Sequence, residues 1–303
     1  MPTETKIDNQ SWALLFILSL LWGGSFVFIG IAVKELPSLL IVFARVGLAA
    51  LFLLPVHWLM QGHLPRDRAS WVAFAGMSLM NNVVPFTLIT YGQHSVAAGL
   101  ASVVNATTPM FAAVVLAMAG AEQFTARKAV ALVMGLGGVA VLCGVTTGDL
   151  NQNFLAIAAI LAASASYGVS TLWAKRRLQG IPPVTSATCQ LMVSTVIMAG
   201  LAFAFSEPVL LVQISGQTWL ALAGLALLST SLAYLLFFRI IARAGASVVV
   251  LVTLIIPVTA ILLGNWVLGE SLLRNEIIGA LIIAASLVVI DGRVFNYLKT
   301  KPA

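Results

Sequence analysis

Charge is scarce in this sequence. Asp, Glu, Lys and Arg make up 9% of its 303 residues, where a soluble domain carries roughly a quarter. Hydrophobic residues make up 60%. A chain this apolar cannot cover itself with polar surface, so its solvent is lipid. Acids are the scarcer sign, with ten Asp and Glu in all. Every one falls at the end of an apolar run or between runs, which disfavours a proton relay through intramembrane carboxylates. The two cysteines, Cys143 and Cys189, fall inside apolar runs. They read as small packing residues, not as a disulfide framework. No GxxxxGK loop followed by Ser or Thr occurs, so the chain does not use ATP by itself. No His, Cys, Asp or Glu cluster has metal-ligand spacing, and no serine has an evident His and acid partner set. No metal, cofactor or enzyme activity is expected.

What is present is a series of ten apolar runs, at roughly 11–33, 37–60, 70–91, 95–119, 126–147, 154–174, 183–205, 217–240, 245–268 and 273–291. A helix needs about 20 such residues to cross a hydrocarbon core of about 30 Å. The connections are too short for a soluble domain. The runs lack the strand alternation of an outer-membrane barrel, so helices are the reading. The first run is too long for a signal-peptide core and is read as a retained helix.

The net charge of +6 invites a nucleic-acid reading, but its distribution points elsewhere. Lys6, Arg66, Arg68, Arg127, Lys128, Lys175, Arg176, Arg177, Arg239, Arg243, Arg293, Lys299 and Lys301 all fall on one side of the alternating runs. The other side has Lys34 and Arg274. Cationic loops stay cytoplasmic. Both tails, 1–10 and 293–303, are therefore expected inside, and no nucleic-acid partner is expected. Trp12, Trp58, Trp71, Trp173, Trp219 and Trp266 lie near run ends, as an interfacial belt does.

The second half echoes the first. Pro109 and Pro257, Glu122 and Glu270, Gly144 and Gly292, and Trp71 and Trp219 are each 148 residues apart. At an offset of 145, Trp22 aligns with Tyr167, Ser25 with Ser170, and Arg45 with Gln190. Each repeat, 11–147 and 154–292, has five runs. An odd number puts the second repeat into the membrane inverted, which is a transporter architecture. The tandem halves resemble the EamA type of the drug/metabolite transporter superfamily. The resemblance rests on LLWGGSFVFI, on FARVGLAALFLLP, and on two copies of proline followed thirteen residues later by glutamate, Pro109 to Glu122 and Pro257 to Glu270. It implies a ten-helix basket in the bacterial inner membrane. The first four helices of each half would line a central cavity, and the fifth would pack outside.

The repeat predicts that polar residues recur at matching depths in both halves. Asn81 and Asn82 correspond to Ser229 and Thr230, and Asn105 to Thr253. A polar side chain facing lipid lacks partners, so these face inward. Two readings stand for each: a substrate contact, or interhelical glue worth about 0.6 kcal/mol per bond. The candidate substrate-binding set is Trp22, Ser25, Arg45, Asn81, Asn82, Asn105, Tyr167, Ser170, Gln190 and Thr230. Gly23 and Gly24 would admit a helix or a ligand close to Trp22. Pro85, Pro109 and Pro257 fall within runs, where each removes a backbone donor. They are read as hinges at a midplane site or as packing kinks. Glu122 and Glu270 are read as structural, each capping the start of the helix that follows it. Small residues in the outer helices, Ala131 with Gly135 and Ala280 with Ala284, suit close helix contact, and a homodimer is one use of them.

The expectation is a secondary transporter for small organic metabolites, amino acids or related compounds first, working by alternating access. A channel and a membrane-embedded enzyme are the alternatives, although no catalytic cluster is found. Arg45 sharpens the substrate question. A guanidinium within an apolar run needs a counter-charge or several carbonyls. Either a substrate carboxylate or the protein's own groups complete it.

Overall fold

The computed structural model describes residues 8–60, 62–143, 153–206, 213–249 and 251–291. Among them every regular element is helical. The helices are α1 Asn9–Ala32, α2 Ser38–Leu59, α3 Arg68–Gly92, α4 Ala98–Met118, α5 Ala126–Leu142, α6 Phe154–Arg177, α7 Pro183–Phe205, α8 Gly216–Ala244, α9 Val252–Leu268 and α10 Arg274–Asp291. Seven of them, α1 to α4 and α6 to α8, are long and apolar enough to cross a membrane. The apolar spans match the expected runs closely. The expected end of the fifth run at 144–147 and most of both tails lie outside the described residues.

Hydrophobicity alone places these spans, and side-chain caps sharpen their starts. Asp8 Oδ1 accepts the Ser11 N–H at the head of α1, and Asp67 Oδ1 accepts the Ser70 N–H at the head of α3. Ser215 Oγ accepts the Thr218 N–H at the head of α8. Asp67 and Ser215 are themselves 148 residues apart. The ninth run departs from expectation. Gly245 ends α8 with φ at +88°, a backbone region open to glycine. One separate turn, Ala246–Val249, comes before α9.

Four helices are irregular, mostly near the polar positions. In α3 the segment Leu79–Val83 is a π-helix, and in α8 the segment Gly224–Leu232 is another. A third, Gly264–Leu268, closes α9. Helix α4 breaks between Asn105 and Thr108. Two prolines sit at these irregularities. Pro85 opens the α-helical part that follows the first π segment, and Pro109 opens the second part of α4. Pro109 has no N–H to offer the carbonyl one turn back, at Asn105. That carbonyl is met by Thr108 Oγ1 at 2.7 Å and Ser164 Oγ at 3.4 Å. Pro257 lies inside the unbroken helical stretch Val252–Leu263.

The helices pack in a few large pairs: α1 on α9, α2 on α7, α6 on both α3 and α4, and α5 on α10. Glycine governs the first and last of these. A carbon added at Gly23 would strike Thr259 of α9, whose hydroxyl donates to Ser19 O at 2.8 Å. The gap beside Trp22 is therefore filled by a helix. Between α5 and α10, a carbon added at Gly279 would lie 2.6 Å from Gly138 O. Ala131 and Gly135 are buried as expected. Their partners on α10 differ from expectation: Gly279 and Ile283 face α5, whereas Ala284 is exposed and Ala280 half-buried. The close contact between the two outer helices is made within one chain. Gly279→Leu is expected to lower the thermal unfolding midpoint in detergent, since overpacking costs about 1–3 kcal/mol. Gly137→Ala has nothing within 4 Å of the added carbon and should leave the midpoint where it is. Equal midpoints for the two variants would refute this packing.

Candidate substrate site

Arg45 lies on α2 and is 7% exposed. Its Nε donates to Thr230 Oγ1 at 3.0 Å. Its guanidinium carbon sits 3.5 Å from the centroid of the Phe86 ring, a stacked cation–π contact. Tyr167 and Tyr234 lie near enough to interact with it electrostatically. No carboxylate pairs with it among the described residues, and no described group accepts a hydrogen bond from its terminal nitrogens.

Thr230 is held by the π segment of α8. Its hydroxyl donates to Leu225 O, five residues back, at 2.8 Å. Ser231 does the same to Ala226 O at 3.0 Å and also reaches Ala49 O on α2 at 3.3 Å. The wide turn therefore fixes the acceptor that Arg45 uses and ties α8 to α2. Ser229, next to it, has a buried hydroxyl without a partner among the described residues.

The other π segment carries Asn81 and Asn82. Asn81 Nδ2 is within reach of Asn82 Oδ1 at 3.3 Å, Gln190 Oε1 at 3.4 Å and Tyr234 Oη at 3.3 Å. Its Oδ1 accepts from Ser170 Oγ at 3.3 Å. Asn82 is fully buried. It donates to Ser194 Oγ at 3.0 Å and accepts from Tyr234 Oη at 3.2 Å. Ser194 and Ser78 both donate to Gln190 O at 2.7 Å. Four helices (α3, α6, α7 and α8) thus contribute side chains to one connected network. Arg45, from α2, adjoins it through Thr230 and the tyrosines.

Of the ten residues expected at the site, Arg45, Asn81, Asn82, Tyr167, Ser170, Gln190 and Thr230 come together. Trp22, Ser25 and Asn105 do not join them. The Trp22 ring packs 5.5 Å from Phe237, against a core of Leu15, Leu18, Ile240 and Val252. Ser25 bonds back to Trp22 O at 2.6 Å. Asn105 is bonded to α6 through Ser164. Ser194 and Phe86 were not foreseen. Ser194 lies four residues after Gln190 and so on its helix face, a spacing visible in the sequence. Phe86 carried no signal among fifteen phenylalanines. Arg45 is nearly enclosed, whereas Asn81, Tyr167 and Tyr234 are half-buried. An apolar cleft of about 520 Å³ lies elsewhere, between α4, α9 and α10, lined by Val103, Leu254, Ile261 and Leu281.

The expected role of the two glutamates needs correction. Glu270 caps a helix, but not the one that follows it. Its Oε1 accepts the Ala98 N–H at 2.9 Å and its Oε2 the Gly99 N–H at 3.3 Å, at the head of α4. The head of α10 is served by Glu276, which accepts the Leu273 N–H. Glu122 is exposed and pairs with Lys128 at 3.0 Å. The cap of α5 is Thr125. A carboxylate can reach free N–H groups of a helix far away in sequence, and spacing does not disclose that.

Comparison with known proteins places the chain. The EamA-like transporter family model matches it twice, over residues 10–144 and 154–291. An "uncharacterized transporter YoaV" of Bacillus subtilis is 26% identical over 89% of this chain and 92% of its own. An "uncharacterized inner membrane transporter YedA" of Escherichia coli is 28% identical over 93% of this chain and 91% of its own. A "probable amino-acid metabolite efflux pump" of Salmonella typhimurium is 24% identical over 93% of this chain and 95% of its own. A solved crystal structure superposes with a TM-score of 0.66 at 18% identity, covering 96% of this chain and 99% of that one, and so shares the fold. With two matches that together span nearly its whole length, the chain belongs to the EamA-like transporter family and is an integral membrane transporter.

Proposed function

We propose that this transporter moves small organic metabolites bearing a carboxylate, amino acids first among them, by alternating access. The observation that carries the substrate class is Arg45: a permanent charge, nearly enclosed, without a carboxylate among the described residues. Its terminal nitrogens offer a fork suited to a carboxylate. The amide and hydroxyl groups of Asn81, Ser170 and Tyr234 supply neutral donors and acceptors for a substrate's amino group. The name of the Salmonella relative agrees with this class.

The mechanism rests on two inverted five-helix halves, 11–147 and 154–292, with both termini cytoplasmic. Four observations support it. The family model matches once in each half. Landmark residues recur at an offset of 148. The π segments at 79–83 and 224–232 overlap at that offset. The loop cations fall mostly on one side. Rocking one half against the other then exposes the Arg45 cluster to each side in turn. Small metabolites and lipid are the partners in this reading.

Stacking on Phe86 and the bond to Thr230 also favour a second role for Arg45, pinning α2 to α3 and α8. Transport by purified protein in liposomes separates the two. In counterflow assays with labelled amino acids, Arg45→Gln is expected to weaken carboxylate substrates by at least about 2 kcal/mol, roughly 30-fold. Decarboxylated amines should lose far less. Equal loss of both classes, or no loss in folded protein, sinks the carboxylate assignment. Unitary conductance in bilayers would instead favour a channel. Thr230→Val leaves the Arg45 Nε without its acceptor, and an unmet buried donor costs about 1–3 kcal/mol. Its thermal midpoint should fall while Thr230→Ser, which keeps the hydroxyl, stays near the parent.

A further inference from the structure

Helices α9 and α10 follow one another in the chain but pack on different neighbours. Helix α9 lies on α1 and α4, whereas α10 lies on α5, and the two meet each other only lightly. The apolar cleft of about 520 Å³ runs between them, with α4 as its floor. It opens sideways: Val258, Leu262 and Leu281 line it and are 55%, 64% and 65% exposed. In an integral membrane protein, the medium on that side is the hydrocarbon of the bilayer. Small residues make the room. Ala280 and Ala284 line the cleft from α10, and Gly99 and Ala106 line it from α4. The alanine pair on α10 thus borders a gap, where its spacing suggests a helix contact.

The cleft has two unlike ends. Its polar members, Asn265, Glu270 and Ser271, all lie in the last turn of α9 or just after it. Every other residue of the lining is apolar. From Asn265 back to Leu254, the far member on α9, is about 17 Å at the helical rise of about 1.5 Å per residue. Half of a hydrocarbon core is about 15 Å, so the cleft is as long as one leaflet is deep. A cation stands at the polar end. Arg274 shares a face of α10 with Ile277, Leu281 and Ala284, at steps of three and four residues. It is exposed and has no ion pair among the described residues. The nearby acids are committed to backbone: Glu270 accepts the Ala98 and Gly99 N–H groups, and Glu276 accepts the Leu273 N–H.

We infer that this cleft is a binding site for one glycerophospholipid. An acyl chain lies along the cleft, and the lipid phosphate meets the Arg274 guanidinium at its mouth. The guanidinium fork suits a phosphate, and a long arginine side chain at the end of a span reaches headgroup level. Both the apolar length and the polar end fit this occupant. A peptide would leave its backbone groups unpaired along the apolar lining, and a small polar solute finds no partner there beyond Asn265. The lipid occupies space that no side chain fills and joins α10 to α4 and α9. The inference needs only that the chain spans a membrane. It rests on neither the substrate class nor the alternating-access reading.

Native mass spectrometry of the full chain in detergent, with palmitoyl-oleoyl phosphatidylglycerol added as the probe, tests it. Arg274→Gln is expected to weaken lipid binding about fivefold, the worth of one cation at a lipid surface. Arg274→Lys should recover most of that loss. Ala284→Phe fills the cleft and should abolish the bound lipid, whereas Val196→Phe, an exposed site on α7, should not. The same lipid should raise the thermal midpoint of the parent and of Val196→Phe more than that of Ala284→Phe. Arg274 and Ala284 are both exposed, so their variants keep the helix packing. Equal affinity in the parent, Arg274→Gln and Ala284→Phe would leave only a general lipid coat and overturn the proposal. So would uptake of detergent with no phospholipid retained. Loss in Ala284→Phe alone would refute the phosphate contact, and loss in Arg274→Gln alone would put the lipid outside the cleft; either overturns the site as stated.

Discussion

In lipid, every backbone and side-chain polar group must find its partner inside the protein, and the rest of this structure depends on that constraint. Arg45 puts the largest demand on it, because a guanidinium keeps its charge in any protein setting. The fold meets part of the demand with a hydroxyl and an aromatic face, at Thr230 and Phe86. It surrounds the remainder with neutral amides and phenols that already bond to one another. A ring of neutral groups spreads no compensating charge. The cluster therefore stays electropositive, and the proposed carboxylate class rests on that property.

The irregular helices follow from the same constraint. A π turn moves a carbonyl off the regular ladder, and a nearby hydroxyl then answers it. Thr230 and Ser231 do this within α8, and Ser166 Oγ does it for Met80 O in α3 at 2.8 Å. The break at Pro109 is closed in the same way, by Thr108 and Ser164 on Asn105 O. Irregular backbone at membrane depth is tolerated where protein covers it, and such turns recur at functional sites. Here two of them deliver the polar cluster, with Asn81 and Asn82 on one and Ser229 and Thr230 on the other.

Much of this was legible in the sequence, for identifiable reasons. Span positions follow from composition, and composition does not depend on which faces meet. Seven of the ten site residues converge because a mid-span polar group in lipid has nowhere to go but inward. The three that do not converge failed locally. Ser25 satisfies its hydroxyl on its own helix, and Asn105 serves a carbonyl break that its neighbour Pro109 creates. Trp22 is apolar enough to be core. The π turn of α8 was invisible because the hydroxyl-to-carbonyl bonds that accompany it, five residues apart, join residue types found in many ordinary helices. Contacts such as Glu270 with Ala98 join positions 172 residues apart. No periodicity encodes them, and only the folded chain reveals which helix head a carboxylate serves.

The repeat carries a last consequence. Two halves of one sequence pattern need not fold alike, and here they do not. Glu270 is bonded to backbone while Glu122 is bonded to a lysine. Helix α4 begins as a continuous eight-residue helical stretch, Ala98–Asn105, while its counterpart before α9 is the single turn Ala246–Val249. These two differences fall at heads that the repeat equates and at the carboxylates it assigns to them, and others lie elsewhere: α4 breaks before Pro109, whereas Pro257 sits in an unbroken stretch. A carrier that alternates between two faces must be asymmetric in any one state, with each half passing through the conformation the other has left. On the alternating-access reading, the different partners of Glu270 and Glu122 are one such asymmetry.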